Sequence, residues 1–180
     1  MARHRIYRRT GRYLFVDGYN IINYWSDFEG LVEEHLEEAR TLLADMLEEY
    51  AATEDIHVIL VFDAYRVKGN GGSLEKKEHM DIVFTKETVT ADRYIESEIA
   101  SMGRVRDVTV ATSDYVEQQI IMARGGKRIS ARELQMLVKR SKTVTRKEAN
   151  RIRTKKGAPL VIDEENKKKL EDLRQQLDPP

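Results

Sequence analysis

The chain has 180 residues, 41% of them apolar and 34% charged, with 31 basic residues against 31 acidic ones and no cysteine. That length suits one well-formed core with a small appendage. The composition excludes a disulfide framework, a thiolate nucleophile and cysteine-ligated zinc; with no apolar run near the roughly 20 residues that span a membrane and no apolar core behind the basic start, a cytoplasmic protein is expected.

The zero net charge hides a strong asymmetry. Residues 1–11 carry Arg3, Arg5, Arg8 and Arg9 and read as a flexible basic arm, extended by Arg12. Strand one follows at Tyr13–Val16 and ends in the turn Asp17-Gly18-Tyr19-Asn20. A long helix is expected from Gly30 to Tyr50, because Val32, Leu36, Ala39, Leu43, Met46 and Tyr50 recur at helical spacing. Residues 29–55 are acidic, with Arg40 as their single base. Strand two is Ile56–Phe62, followed by Asp63 and by a Gly-rich loop at Gly69–Ser73. That loop lacks the Gly-Lys-Ser/Thr ending of a P-loop.

A third strand is expected at Met80–Phe84, then a helix capped by Thr90 and running through Ile95 and Ile99 towards Met102. Strand four, Val108–Ala111, leads to Asp114 and another helix, and Lys127–Ile129 is a short fifth strand. Ser130 and Glu133 have the spacing of a capping box at the head of a helix that turns basic towards Asn150. The break Gly157-Ala158-Pro159 precedes a short helix over Asp163–Leu177. Strands alternating with helices predict a three-layer α/β/α domain on a mainly parallel sheet. The expected division is an arm over 1–11, the domain over 12–150, and a basic linker with its short helix over 151–180.

Asp17, Asp63 and Asp114 each follow a short Val/Ile/Leu-rich run, which places them at the carboxyl edge of a parallel sheet, where open α/β folds bind ligands. Asp92 and Glu96 share one helix face at a spacing of four. Carboxylates that converge repel one another unless a cation joins them, and hard oxygen donors suit Mg²⁺ or Mn²⁺. Asp17, Asp92, Asp114 and Glu96 are the expected metal ligands. Asp63 completes the pocket, and Asn20 positions substrate. Such a site hydrolyses phosphodiesters by activating water and neutralising phosphoryl charge.

The basic stretch 124–156 could track a phosphate backbone, with Arg132, Lys139, Arg140 and Lys142 on its helix. Tyr65 and Arg66 are candidates for RNA contact beside the acids, whereas Trp25 and Tyr19 suit core packing at least as well. The histidines are scattered without metal-ligand spacing, and no nucleophile motif occurs.

Val16-Asp17-Gly18-Tyr19-Asn20 resembles the opening motif of the NYN nucleases, a branch of the PIN-like superfamily. Val61-Phe62-Asp63-Ala64, Val83 to Glu87, Thr90-Ala91-Asp92, Ala111 to Tyr115 and Ser130 to Leu134 are similar, in order, to blocks of the YacP-type NYN family. The resemblance covers about residues 12–140 and implies a PIN-like fold and a small endoribonuclease that cleaves messenger RNA on the ribosome. It implies catalytic roles for Asp17 and Asp92, acidic site positions at Asp63 and Asp114, and a motif role for Asn20. In-line attack by water would leave 5′-phosphate and 3′-hydroxyl ends. Two other readings stand beside it. A non-catalytic RNA- or ribosome-binding module gains nothing from a concentrated acidic pocket. A haloacid-dehalogenase-type phosphatase wants a second Asp two residues after the first, where this chain has Tyr19.

Overall fold

Alternation of side chains along the first strands decides the layers. In strand β1 (Arg12–Asp17), Leu14 and Val16 face one side while Tyr13 and Phe15 face the other. In β2 (His57–Phe62), Val58, Leu60 and Phe62 take the first side and Ile59 and Val61 the second. Both strands are apolar on both faces, as a central parallel strand covered by helices must be. The computed structural model of the protein describes residues 7, 10–32, 35–63, 72–102, 107–112 and 126–156.

The remaining strands are β3 (Ser73–Lys76), β4 (Met80–Phe84), β5 (Asp107–Ala111) and β6 (Lys127–Ile129), in the spatial order β3-β4-β2-β1-β5-β6. Only β3 is antiparallel. The chain builds outward from β1 through β2 to β4, then returns to place β5 on the other flank. The order reverses between β1 and β5, and the carboxyl end of β1 is therefore a topological switch point.

Helices cover the two faces. On one side α1 (Gly18–Tyr24), α2 (Leu36–Glu54) and the first turns of α4 (Ala131–Lys156) bury Ile21, Ile22, Leu43, Leu47, Leu134 and Val138. On the other, α3 (Ala91–Met102) buries Ile95, Ile99 and Met102. The result is the expected three-layer α/β/α arrangement on a mostly parallel sheet. The chain divides into two units, residues 1–145 and 146–180; within the second, the described residues continue as helix to Lys156. Tyr7, inside the expected basic arm, is buried: its ring meets Tyr13 edge-on at 5.2 Å and its hydroxyl donates to Glu98 of α3. No helix among the described residues is long and apolar enough to cross a membrane.

Three local expectations need correction. The residues read as a turn, Asp17 to Asn20, open helix α1, whose seven residues are too few to declare a period. The long helix starts at Leu36 and not at Gly30, because Gly30 holds a φ of +86°, outside helical space. Ser73, read as loop, begins β3, whose four residues are all exposed and so carry no apolar alternation. Two caps are as expected. Thr90 Oγ1 accepts from Arg93 N at 3.3 Å, and Ser130 and Glu133 form a reciprocal capping box, Glu133 N donating to Ser130 Oγ at 3.2 Å and Ser130 N to Glu133 Oε2 at 2.6 Å. The expected helices after Asp114 and over Asp163–Leu177 lie outside the described residues.

Candidate active site

Asp17 ends β1 and at once caps α1. Its Oδ1 accepts from Asn20 N at 3.1 Å, the bond that an N-cap carboxylate makes to its first turn. The chain leaves the strand here with no room for a side chain. A Cβ on Gly18 would lie 2.2 Å from Phe62 Cε1, so the Phe62 ring packs directly against the backbone next to Asp17. Gly18→Ala must displace that ring or the strand end. We expect a loss of about 3 kcal/mol in urea unfolding, with the carboxylate of Asp17 moved out of register.

Asp63 follows β2, one residue past Phe62, and accepts from Ala91 N at the start of α3. Asp92 lies in the first turn of that same helix. One hydrogen bond thus ties the end of β2 to the helix that carries Asp92. The electrostatics place the three acids together. The Asp17 carboxyl is pushed up to about 6, first by burial and then by the charges of Asp92 and Asp63, against the lowering effect of the Asn20 and Tyr19 backbone N–H groups. Glu96, one turn further along α3 and half-buried, is not among the groups that shift Asp17. Asn20 Oδ1 is buried beside this cluster without a hydrogen-bond partner among the described residues.

Asp114, Tyr65 and Arg66 lie outside the described residues. Among the described residues, no three acidic or histidine side chains form a shell that could hold a metal ion. The carboxyl edge therefore brings together Asp17, Asp63 and Asp92, with the Asn20 amide alongside.

Of the aromatics considered for RNA, Trp25 and Tyr19 belong to the core. Trp25 is 2% exposed, stacks on Phe28 at 6.0 Å and donates from Nε1 to Ala131 O at 2.8 Å, pinning α1 to the start of α4. The basic helix is split in its engagements. Lys139 Nζ sits 2.9 Å from Asp27 Oδ2, and this hydrogen bond holds the Asp27 carboxyl below its usual range. Arg132, Arg140 and Lys142 are exposed on α4.

The model of the YacP-like NYN domain matches residues 14–175. YacP of Bacillus subtilis strain 168, itself uncharacterized, is 38% identical over 169 residues, covering 89% of this chain and 95% of its own. The crystal structure of Rae1 (YacP) from Bacillus subtilis superposes with a TM-score of 0.70 at 33% identity, covering 91% of this chain and 93% of that one. The crystal structure of a mutant form of Rae1 superposes with a TM-score of 0.65 at 34% identity over 83% and 86% of the two chains. With the family model matching residues 14–175 and a relative 38% identical over most of the chain, this protein belongs to the YacP-like NYN domain family.

Proposed function

We propose that this protein is a cytoplasmic, metal-dependent endoribonuclease that cleaves messenger RNA on the translating ribosome. Family membership supports a nuclease-type function directed at RNA. The observation that carries the enzymatic reading is the placement of Asp17, Asp63 and Asp92 at the carboxyl edge of the sheet, with Asp63 bonded to the start of the helix that carries Asp92 and both charges acting on the buried Asp17 carboxyl. A module that only bound RNA would repel phosphate there.

The donors are oxygens of the kind Mg²⁺ and Mn²⁺ prefer, and the described acids would hold such an ion only together with further ligands. Asp17 and Asp92 offer carboxylate oxygens, Asn20 Oδ1 is a buried acceptor lacking a donor among the described residues, and Asp114 comes three residues after the end of β5 in the sequence. When bound, the metal supplies a water nucleophile near neutral pH and neutralises phosphoryl charge. The chain's own groups do the rest. Asp17 and Asp92 hold the site's negative charge at the strand and helix ends. Asp63 fixes the start of α3 and so sets the position of Asp92. Asn20 presents a neutral oxygen that orients without adding charge. Arg132, Arg140 and Lys142 on α4, with Tyr65 and Arg66, hold the RNA backbone and bases, and Lys139 joins them if substrate displaces Asp27.

The test is a translating extract supplied with wild type or with Asp17→Asn/Asp92→Asn, with new 5′ ends mapped on messenger RNA. New ends made only by wild type, and only with divalent metal and ongoing translation, are the expected result. Ribosome binding by both proteins without cleavage by either would overturn the enzyme in favour of a binding module.

A further inference from the structure

Arg40 is the one base in an otherwise acidic α2, and its place in the fold is specific. The guanidinium lies over the Phe84 ring, 5.6 Å from its centroid. Phe84 stacks on Phe62 at 5.4 Å and 22°, and Phe62 in turn meets Tyr19 at 5.1 Å. In the sheet Phe84 is in register with Phe62, the residue before Asp63, and Val61 is in register with Asp17. A continuous row of rings therefore runs along the carboxyl edge from the backbone beside Asp17 to Arg40, across two strand spacings of about 4.8 Å each.

Among the described residues, the charge of Arg40 is not spent on an ion pair. Glu37 and Glu38 lie within one turn of it, yet among the described residues no carboxylate pairs with the guanidinium. A cation–π contact of this kind restrains the group against the aromatic face and leaves its N–H groups able to donate. A planar, restrained guanidinium recognises a phosphate through two parallel hydrogen bonds. Lys86 leaves β4 two residues after Phe84, is exposed at the same rim, and adds a second cation there.

We infer that Arg40, held on Phe84, is a substrate-binding residue that grips a backbone phosphate of single-stranded RNA beyond the scissile one. The inference rests on the nuclease reading above. It also gives the row Tyr19–Phe62–Phe84 a second role beyond packing, as the rigid spacer between the acidic centre and the clamp. The strand would cross the rim of the sheet, because Asp17 and Asp63 continue the alternation of the α3 side while Phe62 and Phe84 belong to the core on the α2 side.

The experiment measures equilibrium binding of a single-stranded RNA oligonucleotide to Asp92→Asn protein, with and without Arg40→Gln, across a salt series. Cleavage kinetics are followed separately in protein that keeps Asp92. Arg40→Gln should weaken binding about tenfold at low salt and lower the salt slope by about 0.7, the signature of one lost phosphate contact. In cleavage it should raise KM with kcat nearly unchanged. Arg40→Lys should recover only part of the affinity, because an ammonium keeps the charge and loses the planar fork. Phe84→Leu, with Arg40 intact, should weaken binding by a smaller factor. Unchanged affinity and slope in Arg40→Gln, in a parent protein that binds RNA, would overturn the clamp alone. A parent that binds no RNA, together with a protein keeping Asp92 that makes no new 5′ ends on messenger RNA in the translating extract, would overturn the nuclease reading, and the clamp with it.

Discussion

Asp92→Asn should lower cleavage on the order of a thousandfold while leaving the fold and RNA affinity almost unchanged. Asn keeps the size and hydrogen-bonding shape of Asp and removes only the charge. Asp92 lies in the first turn of α3 and makes no described capping bond, so α3 loses little with it. The cap at that end is Thr90 Oγ1. The effect must therefore come from the site, where the Asp92 charge acts on the Asp17 carboxyl. Asp63→Asn makes an informative contrast. Its Oδ1 accepts from Ala91 N, and an Asn oxygen can take the same bond. A smaller activity loss than in Asp92→Asn is expected, whereas Asp63→Ala should also unseat the start of α3 and lower thermal stability by about 1 kcal/mol. Single-turnover cleavage with matched circular-dichroism melts separates the two. Wild-type rates in Asp92→Asn would remove the carboxylate from the chemistry.

The parts of this fold legible from sequence were those with enough burial to leave a pattern. β1, β2, β4 and β5 are short Val-, Ile- and Leu-rich runs because helices cover both faces of the sheet, and their carboxyl ends could be marked to within a residue. β3 is exposed along its whole length and left no such trace. The site was legible in part for the same reason. Acids that end buried strands are conspicuous, and Asp17 and Asp63 lie at the edge where those runs stop. That Asp17 also caps a helix was hidden, because α1 is only seven residues long and its first residue is Gly18. The small residue there reflects the Phe62 ring packed against it, a contact from another strand that no local pattern announces. Arg40 was visible as a lone base, but its role depends on Phe84, which is distant in sequence and adjacent only through the register of β4 with β2.

Asp17→Asn should stabilise the metal-free protein above pH 6, by at most about 3 kcal/mol, and should leave it unable to cleave. The Asp17 carboxyl is raised from its ordinary value of 3.8 to about 6 in the folded protein. Below pH 4 it is protonated in both folded and unfolded chains and makes no difference. Between pH 4 and 6 the folded protein keeps a proton that the unfolded chain has released, so stability falls as pH rises through this window. Above pH 6 the folded protein carries the full cost of a buried charge beside Asp63 and Asp92. Asn bears no charge at any pH, and its side-chain oxygen can still accept from Asn20 N, so the cap survives. The stability difference between the two proteins should thus grow from near zero at pH 4 to its maximum by pH 7, because titrating groups that do not interact with Asp17 cancel in the comparison. Mg²⁺ or Mn²⁺ should then narrow the gap at pH 7, by stabilising wild type more than the variant. Urea unfolding of both proteins from pH 4 to 7.5, in chelator and in metal, reads all of this directly. A difference that stays flat with pH would mean that Asp17 is not held in a desolvated acidic pocket. A gap that opens with pH but does not respond to either cation would leave the acids gathered without a metal to join them.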